Sequence, residues 1–215
     1  MVAPRKTIDQ YVVLRNVSWE TFERLLADHQ DSAGVRLYYN NGMLEIKVPS
    51  AKHERPNRTL AQLIEVLAEE MNFDIERLGS TTYKRDDLLK GFEPDSSFYI
   101  QNAEAVMGKD DFDLRIDPPP DIVIEIDITS DSLNKFPIFA GIGVPEVWRY
   151  DQGKVTFHKL DGEDYVEAKH SLTFPLLTSE IATQFLQEST QMKSTAWLRR
   201  VREWARTQLK SDDQQ

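Results

Sequence analysis

Asp121-Ile122-Val123-Ile124-Glu125-Ile126-Asp127 lies between three prolines, Pro118, Pro119 and Pro120, and a turn-like Thr129-Ser130-Asp131-Ser132. It is short, rich in β-branched residues and bounded by breakers, which is the signature of a strand. Side chains alternate along a strand. Ile122, Ile124, Ile126 and Ile128 therefore share a core face, and Asp121, Val123, Glu125 and Asp127 share the other. Three carboxylates on one face repel and lose hydration if partly buried. A bound cation relieves both costs, so this face is a candidate metal site. The competing reading is a surface strand with a solvated acidic face.

Downstream, a helix capped by Asp131 or Ser132 and running to about Ile142 leads into a strand over Pro145–Tyr150. Strand, helix and strand within about thirty residues make a βαβ unit with parallel strands. Upstream, Ser18 caps a helix over Trp19–His29, whose Trp19, Phe22, Leu25 and Leu26 share one side. Asn40-Asn41-Gly42 joins strands Val35–Tyr39 and Met43–Val48 into a hairpin, since Asn-Gly favours a tight turn. A helix is expected over about Asn57–Met71. Strands follow over Phe73–Leu78, Thr81–Arg85 and Ser97–Ile100, with Asp86–Gly91 as a polar turn. After the central unit come a meander around Asp161-Gly162, a helix capped by Thr178 or Ser179, and a helix over about Lys193–Leu209. The tryptophan face of that last helix is expected to pack on the body. The expected fold class is α/β (α+β), a mixed sheet flanked by helices. One domain over 1–215 is expected, with 1–17 as an arm and 190–215 as the C-terminal helix and tail.

The chain has 215 residues, 40% of them hydrophobic and 10% aromatic, enough for a substantial core. It has no cysteine, which excludes disulfides, thiolate nucleophiles, iron–sulfur clusters and cysteine zinc sites. No N-terminal apolar run resembles a signal peptide, and no segment approaches the ~18 apolar residues of a membrane span. A cytoplasmic protein without membrane contact is expected. The net charge of −10 argues against nucleic-acid binding through bulk charge, though not against a local basic groove.

Two acidic strand motifs lie about thirty residues apart: Pro94-Asp95 and Glu125. Lys135 follows. A carboxylate pair can hold Mg²⁺ or Mn²⁺, which takes one or two carboxylates plus water and phosphate. Such an ion activates water, and a nearby ammonium stabilises charge on a phosphate. Asp, Glu and Lys together suit phosphodiester hydrolysis.

The chain resembles the PD-(D/E)xK restriction-endonuclease-like superfamily, and more closely the Uma-two family of nuclease-like proteins. The resemblance rests on Tyr38-Tyr39-Asn40-Asn41-Gly42-Met43-Leu44-Glu45-Ile46, Pro49-Ser50, His53-Glu54, Glu93-Pro94-Asp95, Pro120-Asp121-Ile122-Val123-Ile124-Glu125-Ile126, Lys135 and Gly143-Val144-Pro145-Glu146-Val147-Trp148. It covers roughly residues 18–160. It implies a restriction-endonuclease-like fold, with Asp95 and Glu125 as metal ligands and Lys135 as the catalytic lysine. The lysine expected two residues after Glu125 is replaced by Asp127, and Lys135 is the matching position. Tyr38 stands where many relatives carry glutamate, and Glu45 or Glu54 could substitute. Asp127 reads equally as a third ligand or a helix cap. His53 reads as a capping residue or a site residue, and Glu45 as a solvated residue or a site residue. The resemblance implies an Mg²⁺- or Mn²⁺-dependent endonuclease acting on nucleic acid, DNA first. The alternative is a catalytically inactive nuclease-fold protein that binds nucleic acid or serves as an oligomeric module. A homodimer is a further expectation.

Overall fold

The computed structural model describes residues 9–29, 34–128 and 133–212, with the side chains of all but 211 and 212. The expected caps Asp131 and Ser132 and residues 1–8 of the expected arm lie outside the described residues.

Two sheets form where one mixed sheet was expected. The first contains β1 (Gln10–Leu14), β2 (Arg36–Asn40), β3 (Met43–Val48), β5 (Tyr83–Arg85) and β6 (Lys90–Phe92), in the order β1-β3-β2-β6-β5 and antiparallel throughout. The second contains β4 (Glu76–Arg77), β7 (Ser96–Tyr99), β8 (Ile122–Asp127), β9 (Glu146–Asp151), β10 (Lys154–Asp161) and β11 (Asp164–Ala168), in the order β11-β10-β9-β8-β7-β4. Among the described strands only β8 and β9 run parallel, as the βαβ reading requires. The helices are α1 (Trp19–His29), α2 (Ala51–Glu70), α3 (Ala103–Val106), α4 (Phe136–Ile142), α5 (Ser179–Ser189) and α6 (Ser194–Asp212). The fold is α+β with a mixed sheet flanked by helices, in the expected class.

Local chemistry explains several element boundaries. Ser18 Oγ accepts from the Thr21 amide and starts α1. Asn41 and Gly42 both take positive φ (46° and 86°), as a two-residue hairpin turn demands. Helix α2 begins six residues before the expected start. Ser50 Oγ accepts from the His53 amide, and the helix continues through Pro56, which lies past the first turn and cannot donate to the Lys52 carbonyl. Helix α4 is short, with Lys135 at its N-cap and Pro137 in its first turn. It ends at Gly143 (φ 90°), whose amide returns to the Phe139 and Ala140 carbonyls.

The acidic face of β8 is not solvated. Its isoleucines pack against Leu60, Leu63, Ile64, Trp148 and Phe157, and Val123 packs with Tyr38, Phe92 and Phe139 on the opposite side. A strand in the middle of a sheet with both faces covered buries its charges too: Glu125 is 2% exposed and Asp121, just before the strand, 3%, while Asp127 at its end is half-buried. Asp121 and Glu125 do not converge. Asp121 accepts from the Ile100 and Asn102 amides and the Asn102 side chain, fastening the turn after β7.

Trp197, Val201 and Ala205 of α6 are buried in the same core as α2 and α5. Arg202 and Arg206 pair with Glu69 and Glu70 of α2. The tryptophan face therefore packs inward, as expected.

The Gly-Val-Pro-Glu-x-Trp stretch is structural. Glu146 is fully buried, accepting from Trp148 Nε1 (2.9 Å) and from the Leu172 and Thr173 amides (both 3.0 Å). In Glu146→Gln one carboxylate acceptor becomes an NH₂ facing a donor. A loss of about 1.5–3 kcal/mol is expected in urea unfolding. A midpoint equal to wild type would show that the loop at 171–173 does not depend on this carboxylate.

Candidate active site

The two sheets meet along a seam lined by charged side chains. Sheet one brings Tyr38 from β2 and Glu45 and Lys47 from β3. In β3, alternation sends Leu44 and Ile46 to the α1 side, while Glu45 and Lys47 point inward and are 0% and 3% exposed. Sheet two supplies Asp95, just before β7, and Glu125 and Asp127 from β8. Helix α2 adds His53 from its first turn, and Lys135 stands at the head of α4.

Glu125 is the hub. Its Oε1 accepts from the Lys135 ammonium in a very short contact and from Lys47 Nζ at 3.2 Å. Its Oε2 accepts from the Tyr38 hydroxyl at 2.9 Å. Lys135 Nζ also lies 3.5 Å from Glu45, 3.7 Å from Asp127 and 4.4 Å above the Tyr38 ring. Asp95 is held on every side. Its Oδ2 accepts from the Ile126 amide (2.8 Å) and lies 3.6 Å from Lys47, and its Oδ1 lies 2.7 Å from His53 Nε2. His53 Nδ1 meets Asp9 at 2.7 Å. Asn57 binds the Asp95 carbonyl and receives the Ser96 hydroxyl.

The protonation states follow from this packing. Burial works against charge on His53, but the Asp9 and Asp95 carboxylates outweigh it and raise its pKa to about 9. Burial pushes the Asp95 carboxyl up, and Lys47, His53 and Lys135 overcome this to leave it well below the usual range. Lys135 is likewise penalised by burial, yet Glu125, Asp127, Glu45 and Asp95 hold it well above an ordinary lysine. Burial raises the Glu125 carboxyl against the pull of Lys135 and Lys47. Burial and the Glu125 and Asp95 charges keep Tyr38 protonated, so it serves as a donor.

The structure thus brings Asp95, Glu125, Lys135, His53 and Glu45 together. Glu45 is fully buried rather than solvated, because the seam covers the inner face of β3. Its Oε2 accepts from the Leu133 amide (2.6 Å), and its Oε1 has no hydrogen-bond partner. Asp127 sits at the rim, taken by Arg149 Nε at 2.7 Å, and Lys135 rather than Asp127 occupies the α4 cap. Glu54 lies apart. It points outward to Arg58, one helical turn on, so it does not replace the glutamate missing at 38. The resemblance assigned no role to Tyr38, Lys47 or Asp9. Their signal was present in part: Glu45-x-Lys47 is a charged pair on one face of an otherwise apolar strand, and Glu45 pairs across the hairpin with Tyr38.

Among the described residues, no three His, Asp or Glu side chains form an arrangement ready to hold a metal ion. No described helix is long and apolar enough to cross a membrane.

No curated protein matches the chain. A solved structure titled as "a putative nuclease belonging to DUF820 from Anabaena variabilis ATCC 29413" is similar to it at 14% identity. The match covers 70% of this chain and 90% of that one, with a TM-score of 0.48. The Uma2 family model, described as "Putative restriction endonuclease", matches residues 19–190, a span that takes in the hairpin, Asp95, Glu125, Lys135 and the Glu146 loop. The chain belongs to the Uma2 family.

Proposed function

We propose that this chain hydrolyses nucleic-acid phosphodiester bonds at the Asp95–Glu125–Lys135 group, with DNA as the first substrate to test and Mg²⁺ or Mn²⁺ as the cofactor. The observation that carries this reading is the meeting of a post-proline aspartate, a central-strand glutamate and a buried lysine in one seam, in a chain of the family whose model is described as "Putative restriction endonuclease".

The donor set suits a hard divalent ion. Asp95 and Glu125 offer carboxylate oxygens, and Glu45 Oε1 is a buried oxygen without a hydrogen-bond partner nearby. Asp95 and Glu125 would hold the ion. A bound ion supplies Lewis acidity toward a phosphoryl oxygen and lowers the pKa of a coordinated water. Lys135 contributes a point charge that stabilises negative charge growing on the phosphate. Its surrounding carboxylates keep it protonated for that role. Tyr38 fixes the Glu125 carboxylate through its Oε2. The Ile126 amide bonds one oxygen of Asp95, and the His53 ring lies in ion-pair contact with the other.

The test is cleavage of supercoiled plasmid, single-stranded DNA and RNA with Mg²⁺ or Mn²⁺. Wild type is expected to cut at least one of them. Lys135→Met is expected to lose roughly 10²–10³-fold in rate, the usual cost of removing a charge-stabilising donor. No cutting of any substrate by wild type, with retention of labelled DNA in a binding assay, would favour the non-cutting nucleic-acid-binding alternative.

A further inference from the structure

Lys47 has no role in the reading above, yet its ammonium occupies the middle of the seam. Nζ lies 3.2 Å from Glu125 Oε1, 3.6 Å from Asp95 Oδ2 and 3.0 Å from the Ile126 carbonyl oxygen. Its side chain is 4% exposed. Two carboxylates, one on β8 and one just before the neighbouring β7, and a backbone carbonyl are the oxygen types that divalent ions collect. The remaining Asp95 and Glu125 oxygens face away from Lys47, toward His53 and Tyr38.

The ammonium is not a chance visitor. Its stem leaves β3, which pairs with β1 on one side and β2 on the other, so Lys47 is opposed by Tyr11 and Arg36 in the ladder. A strand inside a sheet cannot shift by one residue without turning every side chain over. The backbone therefore delivers this charge to the seam, and the side-chain torsions are its freedom to leave.

We infer that the Lys47 ammonium stands in for a divalent cation between Asp95 and Glu125 in the metal-free protein, and that it must withdraw before Mg²⁺ or Mn²⁺ enters. This rests on reading Asp95 and Glu125 as metal ligands. Lys47 is then a positioning residue: it holds the two carboxylates facing one another and competes with the ion. The wild-type protein binds divalent ions weakly, and removing the ammonium exposes the site.

Calorimetric Mn²⁺ titration of wild type, Lys47→Met and the double variant Lys47→Met/Asp95→Asn tests this, with folding checked by circular dichroism. Methionine keeps the unbranched stem and drops the charge. Lys47→Met is expected to bind Mn²⁺ at least roughly tenfold more tightly than wild type, about 1.4 kcal/mol. The double variant is expected to lose that gain. Lys47→Met is also expected to melt at a lower temperature than wild type without metal and to recover with Mn²⁺, since an ion bound only by the folded state stabilises it. A purely structural lysine predicts the drop without the recovery. If Lys47→Met does not fold, Lys47→Gln, which keeps a donor for the Ile126 carbonyl, carries the same comparison. Wild type binding as tightly as the variant would overturn the competition while leaving the metal ligands standing. Absence of binding in both would overturn the metal reading as well. A gain that survives Asp95→Asn would place the ion elsewhere and sink the inference.

Discussion

Glu125→Ala is expected to lower the unfolding free energy by about 3–5 kcal/mol, the range for removing one partner of a buried ion pair. Two ammonium groups and a phenol converge on this carboxylate from β3, α4 and β2. Deleting it strands all three, each buried. Asp95 and Glu45 remain within 3.6 Å and 3.5 Å of Lys47 and Lys135 and recover part of the loss, which favours the lower half of the range. With a urea m-value of about 2–3 kcal/mol/M, the midpoint should fall by at least roughly 1 M. Glu125→Gln keeps the shape and an acceptor for Tyr38 but not the countercharge, so it should fall between the two. In a double-mutant cycle, Glu125→Ala with Lys135→Met should cost less than the two single changes together, because it removes both partners. A Glu125→Ala midpoint within error of wild type would mean the seam is hydrated and its charges are screened. The same experiment judges the solvated-strand reading, which predicts no loss for Glu125→Gln.

The second large effect is a fall in stability on the alkaline side. In the unfolded chain a histidine titrates near 6.5. In the fold, His53 sits between Asp9 and Asp95, which raise its pKa to about 9 against the cost of burial. Between these values the folded state keeps a proton that the unfolded chain has released. The unfolding free energy therefore decreases as pH rises. The stabilisation is fully present below about pH 6.5 and is lost as pH passes about 9, amounting to about 3 kcal/mol. Asp9 and Asp95 carry the opposite dependence. Their pKa values are held below the usual aspartate range, so their contribution fades in acid, outside this window. Urea unfolding in chelated buffer at pH 6, 7.5 and 9 measures the slope. His53→Gln should be less stable at pH 6 and nearly flat across the window. The same slope in His53→Gln would assign the alkaline loss to another group.

Local signals were legible where a short segment carries its own instructions. Trp19–His29 has its cap and its apolar face in sequence, and Asn41-Gly42 can only turn a hairpin tightly. The β8–β9 pair was legible because a strand, a helix and a strand so close together leave only a parallel crossover. Strand β6 was read as part of a polar turn. Lys90–Phe92 has little strand propensity of its own and is held by pairing with β2 and β5. The early start of α2 was missed because Pro56 looks like a boundary, whereas the helix capped at Ser50 runs through it.

The candidate site divides the same way. Residue type and order along the chain put forward Asp95 and Glu125 as candidates and showed Glu125 on a strand with one aliphatic face, while Lys135 came from the family resemblance. Only the tertiary structure decided that the other face of that strand is also buried, that Asp121 leaves the site for the turn after β7, and that Glu54 points to solvent. It also decided that Lys47 ends between Asp95 and Glu125. Alternation along β3 puts Lys47 on the face opposite Leu44 and Ile46, but alternation cannot say which face meets a second sheet. That depends on where β8 lies, nearly eighty residues further along the chain, and is settled only when the two sheets close on each other and a charge that could have faced water is enclosed among carboxylates.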